Sequence, residues 1–275
     1  MHRRIALRVL GAAGLLPLVG GAGRPAGRLE RIGLQLYTVR DRMAADVDGT
    51  LAAVAEIGYR EVEFAGTFGR PPAELRRTLD RLGLSAPSAH VPLEALLPDA
   101  AAAADVAATL GNRWLVVAWI PPGRRTLDDY RRFAGDFNRI GESLRAAGLR
   151  FAYHNHDFEL ARAGDVVPLE LLIERTDPAL VDFELDLYWV MKGGGDPLEY
   201  FARFPGRFPL IHAKDIGAAG EMVDVGRGLI DWERVISTER TAGIRHWYVE
   251  HDNPRPDSLA SARASHAYLA HLAAG

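Results

Sequence analysis

Residues 149–156 read Leu-Arg-Phe-Ala-Tyr-His-Asn-His, and the rest of the chain is interpreted outward from this stretch. It is apolar and aromatic for most of its length and ends in ionisable side chains. Successive strand residues point to opposite faces, so Ala152, His154 and His156 share one face and the aromatic rings lie on the other. The pattern predicts a buried β-strand with a crowded inner face and a polar carboxyl end.

Comparable strands recur at intervals of about thirty residues. The eight predicted strands are residues 32–37, 60–64, 84–90, 114–119, 149–155, 180–186, 209–214 and 245–251. Helical periodicity between them predicts helices such as residues 50–57, 74–82 and 130–147, and one strong helix over residues 93–110. Eight strands, each followed by a helix, predict an α/β fold of a single domain, the (β/α)8 TIM barrel.

Glycines support this count of helices. Gly58, Gly83, Gly111, Gly148 and Gly243 each follow a helical stretch, where a left-handed residue commonly ends a helix. The rival α/β fold is a doubly wound open sheet, which needs a glycine-rich phosphate turn after its first strand. Here that turn reads Tyr-Thr-Val-Arg over residues 37–40, so the barrel is preferred.

Composition excludes several classes of protein. The 275 residues are 48% hydrophobic and 25% charged, which excludes disorder, and the chain has no cysteine for disulfides, thiolate metal sites or nucleophiles. A formal net charge of −3 offers no basic face to nucleic acid. The expected partner is therefore a small molecule, and the sequence leaves a homo-oligomer open.

Residues 1–27 are expected to be a secretory signal, with the barrel domain over residues 28–275. Arg3 and Arg4 precede an apolar run over residues 9–23 that is too short and too rich in glycine to be a stable membrane anchor. The arginine pair resembles a twin-arginine signal, which predicts export to the periplasm. The alternative is a frayed N-terminus.

Ionisable residues collect at the predicted strand ends, where barrels carry their active sites. His154, Asp186, His212 and Glu250 stand at corresponding heights on four successive strands, whose ends lie about 5 Å apart. Two imidazoles and two carboxylates suit a divalent cation, so these four are the predicted metal ligands. The alternative is a metal-free polar pocket. The Glu184 side chain is also predicted to point into the barrel, where a Lys or His from a neighbouring strand is expected to neutralise its charge.

Six motifs, in this order and spacing, make the chain resemble the xylose isomerase-like TIM barrels, widely described as sugar phosphate isomerases/epimerases. The motifs are Ile-Gly-Leu-Gln-Leu-Tyr (32–37), Gly-Tyr-Arg-Glu-Val-Glu (58–63), Tyr-His-Asn-His (153–156), Leu-Asp-Leu-Tyr-Trp (185–189), His-Ala-Lys-Asp (212–215) and Gly-Arg-Gly-Leu-Ile-Asp-Trp (226–232). The likeness runs over residues 32–268, nearly the whole predicted domain.

The resemblance implies one divalent ion, most often Mn²⁺, with Co²⁺, Zn²⁺, Mg²⁺ and Fe²⁺ as alternatives. Sugar-converting members hold it with Glu, Asp, His and Glu from strands five to eight. Asp186, His212 and Glu250 match the last three positions. His154 stands where the epimerases have a glutamate that also transfers a proton, which weakens the case for simple epimerisation.

The chemistry implied is removal of the proton next to the carbonyl of a carbohydrate, through an enediolate. His156 is the first candidate for the base, Glu250 the second, and Lys214 a proton donor. Other strand-end side chains are expected to bind the substrate, with the tryptophans stacking on a sugar face. They are Gln35, Glu63, His90, Trp119 and Trp189.

The fate of the enediolate separates two activities. Reprotonation makes an isomerase or epimerase, whereas expulsion of a β-substituent makes a lyase or hydratase acting on 3-keto-glycosides. The rival of another class is a non-catalytic periplasmic sugar-binding protein. A phosphate site at residues 226–228 is disfavoured against a turn that brings Asp231 to the start of the next helix.

Overall fold

Eight short apolar runs form a closed parallel barrel in the computed structural model, which describes Leu29 and residues 32–274. The strands are β1 (Ile32–Gln35), β2 (Glu61–Ala65), β3 (Ser85–His90), β4 (Trp114–Val117), β5 (Arg150–His154), β6 (Val181–Asp186), β7 (Leu210–Ala213) and β8 (His246–Val249). Each strand pairs with the next, and β8 closes the barrel against β1 with Trp247 opposite Ile32. The predicted TIM barrel is confirmed. The predicted signal over residues 1–27 lies outside the described residues and stays a prediction.

Helices surround this barrel. They are α1 (Arg40–Ala45), α2 (Val47–Ile57), α3 (Pro72–Leu82), α4 (Leu93–Leu96), α5 (Ala104–Leu110), α6 (Leu127–Ala146), α7 (Pro168–Arg175), α8 (Leu187–Lys192), α9 (Pro197–Arg203), α10 (Trp232–Ser237), α11 (Glu239–Ala242) and α12 (Ser258–Ala274). Short 3-10 turns cover Leu36–Val39, Ala100–Ala103, Pro122–Arg124 and Asp157–Glu159. Over the residues described, none of the helices has the length and apolar character needed to cross a bilayer. The predicted helix-ending glycines all have positive φ, as at Gly83 (66°) and Gly111 (82°).

Apolar side chains fill the amino-terminal part of the barrel interior. The inner cluster consists of Trp114, Val116, Ala152, Leu210 and Tyr248. Ala152 therefore faces inward, as its place in the strand pattern predicts. Gly33 is required opposite this cluster, because a Cβ there would lie 2.5 Å from the Tyr248 ring. Polar side chains border this cluster at both ends of the barrel. At the amino-terminal edge, the Trp114 indole donates to Asp182 Oδ2 at 2.7 Å, and His246 Nδ1 lies 2.7 Å from Glu61 Oε2. The other polar group lies at the carboxyl-terminal end.

The single helix predicted over residues 93–110 is wrong. The segment is divided into α4, the 3-10 turn Ala100–Ala103 and α5. Pro98 cannot donate a backbone hydrogen bond, and the helix is interrupted at Asp99, whose backbone is extended (φ −160°, ψ 92°). The Asp99 carboxylate then starts the new turn by accepting hydrogen bonds from the amides of Ala101 (3.0 Å) and Ala102 (3.3 Å).

Several strands end earlier than the alternation predicts. β1 stops at Gln35, because the chain turns into the 3-10 helix there, and β4 stops at Val117, two residues before Trp119. β7 stops at Ala213, one residue before Lys214. Trp119 and Lys214 consequently lie on the loops that follow the strands, close to the predicted end of the barrel.

An unpredicted hairpin follows β7, pairing Asp215–Ile216 with Met222–Val223. The Asp215 carboxylate accepts hydrogen bonds from the amides of Gly226 (2.9 Å) and Gly228 (3.2 Å) and from the Trp232 indole (2.9 Å). These amides are the donors that a phosphate at residues 226–228 would need. The segment therefore forms a turn held by an internal anion. Asp231 caps α10 as expected, accepting from the Arg234 amide at 3.1 Å.

We predict that Asp215→Ala destabilises the protein more than loss of an ordinary helix cap does. The substitution leaves several buried donors without an acceptor, so the free energy of unfolding should fall by about 3 kcal/mol or more. Asp231→Ala removes one cap and should cost about 1 kcal/mol. Urea unfolding followed by circular dichroism measures both, and equal losses for the two variants would contradict the interpretation.

Candidate metal centre and active site

A cavity of about 650 Å³ opens at the carboxyl-terminal end of the barrel. Seven of the predicted site residues line it, namely His90, Trp119, His154, His156, Trp189, Lys214 and Glu250. Residues that the sequence analysis did not select also line it, including Tyr37, Arg40, Arg125, Phe158 and Asp252. The cavity is thus charged where the strands end and aromatic on the loops that follow.

The four predicted metal ligands lie together at the inner end of this cavity. His154 and Asp186 end β5 and β6, His212 lies in β7, and Glu250 directly follows β8. Each residue offers one atom that can bind a metal, either a ring nitrogen or a carboxylate oxygen. These four atoms all lie within 4.8 Å of one another. All four side chains are buried, with at most 5% exposed.

The donor atoms of this group fit a divalent cation. His154 Nδ1 is buried and makes no hydrogen bond, whereas Asp186 Oδ2 makes no hydrogen bond but lies 3.1 Å from the Lys214 ammonium. His212 Nδ1 faces Glu250 Oε2 at 2.8 Å but also lacks a hydrogen bond of good geometry. Buried polar atoms without partners are rare because each costs about 1–3 kcal/mol. A cation that accepts these lone pairs removes that cost.

Local structure holds Asp186 in place. Its Oδ1 atom caps α8 by accepting a hydrogen bond from the Trp189 amide at 2.8 Å, which leaves Oδ2 directed at the other candidate ligands. The Asp186 amide in turn donates to Asn155 Oδ1 at 2.9 Å. The asparagine between the two histidines of residues 154–156 therefore fixes the end of the neighbouring strand.

A second cluster lies deeper in the barrel and shares His212. His212 Nε2 lies 2.9 Å from Glu63 Oε2, and His90 Nε2 lies 2.9 Å from Glu184 Oε2. Gln35 Nε2 donates to Glu63 Oε2 at 2.7 Å. The expectation that a histidine on a neighbouring strand neutralises Glu184 agrees with its 3.1 Å approach to His212 Nε2. The cluster Glu63, His90, Glu184 and His212 also has the spacing of a metal-binding group.

Lys214 is the buried ammonium of the site. Its Nζ atom lies 3.1 Å from Asp186 Oδ2, 2.7 Å from Glu250 Oε2 and 2.9 Å from Asp252 Oδ1. Burial alone would lower the pKa of Lys214, but the Asp186 and Glu250 carboxylates outweigh it and raise the pKa. Burial and the Glu250 charge raise the pKa of Asp252 to about 6.

The pKa directions show that the site attracts positive charge. Burial alone would lower the pKa of His90, but Glu63 and Glu184 raise it to about 10. Burial likewise disfavours charged His212, and the surrounding carboxylates raise its pKa well above the usual range. Without a metal ion, protons on these imidazoles supply the charge that the carboxylates require.

His156 lies beside the candidate ligand His154, with ring centroids 4.9 Å apart, and against an aromatic wall. Its ring centroid lies 5.1 Å from that of Trp119, 5.3 Å from Phe158 and 5.2 Å from Trp189. Burial, followed by the charge of Lys214, lowers the pKa of His156 to about 3, so the ring is neutral. Its backbone amide donates to the buried Glu159 at 2.8 Å.

Two of the predicted substrate-binding residues do not line the cavity. Gln35 and Glu63 are completely buried beneath it. Asp252 was missed, although it lies two residues after Glu250 and that spacing offered a signal. Arg125 was also missed, and no motif marks it. Its guanidinium carbon lies 3.3 Å from the ring centroid of Phe158 and 4.6 Å from that of Trp119.

Comparison with known proteins gives consistent matches. A profile of the family described as xylose isomerase-like TIM barrel matches residues 51–272. An inosose dehydratase of Geobacillus kaustophilus (strain HTA426) is 26% identical over 196 residues, which cover 62% of this chain and 62% of that protein. The chain thus spans about three fifths of the length of that relative. The rhizopine catabolism protein MocC of Rhizobium meliloti is 22% identical over 269 residues, covering 82% of this chain and 81% of that protein.

A solved structure extends the match over almost the whole chain. It is a sugar phosphate isomerase/epimerase from Parabacteroides distasonis ATCC 8503, with a TM-score of 0.78 and 26% identity. The superposition covers 92% of this chain and 97% of that one. The barrel and its order of strands are therefore shared with this protein.

We predict that Asp186→Asn abolishes tight binding of a divalent cation while preserving the fold. Asparagine keeps an oxygen that can cap α8, but it loses the negative charge at the candidate ligand position. In the unsubstituted protein, a cation at a concentration of about 100 times its Kd should add about 2.7 kcal/mol to the free energy of unfolding. That gain, measured by thermal melting with and without Mn²⁺, should vanish in the variant.

The matched control for this test is Asp196→Asn. Asp196 caps α9 in the same way, accepting from the Leu198 amide at 2.8 Å, but it lies on the surface away from the cavity. This variant should keep the full stabilisation by Mn²⁺. An Asp186→Asn protein that is stabilised as strongly as the control would show that Asp186 is not a ligand.

Proposed function

This chain belongs to the xylose isomerase-like TIM barrel family, and on that premise we propose that it is a divalent-metal-dependent enzyme acting on a carbohydrate. The reaction begins with removal of the proton next to the substrate's carbonyl group. The observation that carries the proposal is the convergence of His154, Asp186, His212 and Glu250 at the inner end of an aromatic-walled cavity.

These four residues would hold the ion. The family resemblance makes Mn²⁺ the first choice, and two imidazole nitrogens with two carboxylates also suit Co²⁺, Zn²⁺, Fe²⁺ or Mg²⁺. When bound, the ion would polarise the carbonyl and stabilise negative charge on its oxygen. The charge balance supports this choice, because the carboxylates around His212 otherwise depend on protonated imidazoles.

His156 is the proposed base. It lines the cavity, and its ring centroid lies 4.9 Å from that of the candidate ligand His154. A neutral imidazole in this position offers a lone pair to a proton on the substrate's adjacent carbon. Glu250, which also lines the cavity and lies 2.7 Å from Lys214 Nζ, is the alternative acceptor.

Lys214 and His90 are the proposed donors to substrate oxygens. Both line the cavity. Three carboxylates hold the Lys214 ammonium in one position, so it is already in place when a substrate binds. Trp119 and Trp189 lie on the aromatic wall, and Trp119 has 53% of its surface exposed. An exposed indole beside a polar cavity suits the apolar face of a sugar ring.

Elimination is the favoured fate of the activated substrate. Of the two carboxylates among the candidate ligands, Glu250 lines the cavity and Asp186 does not. His154 stands where, by the resemblance, the epimerases have a glutamate. Epimerisation needs an acid or base on each face of the reacting carbon. In elimination, the base takes the proton, a carbon–carbon double bond forms, and the β-substituent leaves with the electron pair of its bond and gains a proton. The inosose dehydratase relative carries the name of such a reaction.

A protein that only binds sugar is the less suitable alternative. Aromatic stacking and a few hydrogen bonds suffice for binding, whereas enclosing several carboxylates costs several kcal/mol for each ion.

We also propose that residues 1–27 direct export of the enzyme. Fractionation of the native host, comparing the amount of the protein in periplasm and cytosol, tests this proposal.

We predict that the Mn²⁺-loaded protein, incubated in D₂O with free ketoses and 3-keto-glycosides, releases the aglycone from a 3-keto-glycoside. Proton NMR detects the release and any solvent deuterium at the adjacent carbon. His156→Ala should lower kcat by about 10²- to 10⁴-fold, as expected for loss of a general base. His271→Ala, at an exposed position of α12, is the control and should keep full activity.

The outcomes separate the candidate functions. Deuterium incorporation without release of the aglycone would indicate an isomerase or epimerase. A metal-loaded protein that binds these sugars and catalyses neither exchange nor cleavage would support the sugar-binding alternative.

A further inference from the structure

The imidazole of His212 lies between two acidic environments. Its Nδ1 atom faces Glu250 Oε2 at 2.8 Å, on the side of the cavity. Its Nε2 atom lies 2.9 Å from Glu63 Oε2, on the side of the barrel interior. A neutral imidazole has one N–H and one lone pair, and the partner of the N–H decides which nitrogen can bind a metal.

Glu63 is held rigidly on the inner side. Gln35 Nε2 donates to Glu63 Oε2 at 2.7 Å, and Gln35 Oε1 accepts from the Tyr37 amide at 2.9 Å. Glu63 and Gln35 have no exposed surface and do not line the cavity. Neither side chain lines the cavity, so their role is exerted through the imidazoles that Glu63 contacts, which are His212 at 2.9 Å and His90 at 3.1 Å. His212 is the nearer of the two and the candidate metal ligand.

We propose that Glu63 is a positioning residue that accepts the Nε2 proton of His212 and so directs the Nδ1 lone pair to the metal. Gln35 keeps the Glu63 carboxylate in place for this hydrogen bond. The inference rests on the proposed metal centre and adds a role for two residues beneath it. Carboxylates that orient metal-binding histidines in this way typically change metal affinity by about 10- to 100-fold.

The inner cluster is better explained by hydrogen bonds than by a second cation. Its closest contacts form two matched pairs, His212 with Glu63 and His90 with Glu184, both at 2.9 Å. A cation there would need the lone pair of His212 Nε2. With the outer site also filled, both nitrogens of His212 would have to lose their protons, which neutral imidazole does not do near neutral pH.

The first test measures Zn²⁺ affinity by competition with a chromophoric chelator. Glu63→Met removes the acceptor and should weaken binding by about 10- to 100-fold, whereas Glu63→Gln keeps an acceptor oxygen and should lose less. Glu61→Met and Glu61→Gln are matched controls. Glu61 lies on the same strand and contacts His246 Nδ1 at 2.7 Å, at the opposite end of the barrel from the cavity. Both controls should bind Zn²⁺ as the unsubstituted protein does.

The second test reads the tautomer directly and needs no substitution. Long-range ¹H–¹⁵N NMR of the Zn²⁺-loaded protein should show His212 protonated at Nε2 and bound to zinc through Nδ1. A proton on Nδ1, or two bound zinc ions with no proton on either nitrogen, would overturn the proposal. If Glu63→Met does not fold, this spectrum and the Zn²⁺ affinity of Glu63→Gln still decide whether Glu63 positions His212.

Failure of the metal centre itself is distinguishable from failure of this inference. An unsubstituted protein that takes up no Zn²⁺ would refute both proposals. A protein that binds one Zn²⁺ with equal affinity in the Glu63 and Glu61 variants would keep the metal centre and refute the role of Glu63.

Discussion

Neutralisation of buried carboxylates is the constraint on which the site depends. Glu63, Glu184, Asp186 and Glu250 are enclosed at the carboxyl-terminal end of the barrel, next to a layer of packed apolar side chains, and Lys214 is the ammonium among them. Carboxylates kept from water need compensating charge. Imidazolium ions provide it in the metal-free protein, and a divalent cation provides it in the proposed enzyme. The same electrostatic demand therefore links folding of the barrel to binding of the metal.

His212 connects the two layers of this polar end. One nitrogen belongs to a network with Glu63 and Gln35, and the other faces Glu250, which lines the cavity. Glu63 and Gln35 do not line the cavity, and in the proposed metal centre they fix the ring that binds the ion.

The family membership explains the barrel, and the residue at one position explains the chemistry proposed for this chain. At the proposed metal centre, His154 offers a neutral imidazole where the epimerases, by the resemblance, carry an acid. In the proposed enzyme, Glu250 and His156 are left to move protons. The aromatic wall and the stacked guanidinium of Arg125 come from loops after the strands, which are the parts of a barrel that set specificity.

The sequence alone determined the barrel and its polar end, because strand alternation and glycine at helix ends are local signals. It also selected His154, Asp186, His212 and Glu250, since each ends or follows a strand at the same height. It failed over residues 93–110, where one proline outweighs the helix propensity of the alanines. Only the tertiary structure decided depth: Gln35 and Glu63 lie beneath the cavity, whereas Asp252 reaches Lys214. Strand alternation indicates whether a side chain points into the barrel or toward the helices. Its contacts across the barrel determine how deep in the interior it lies.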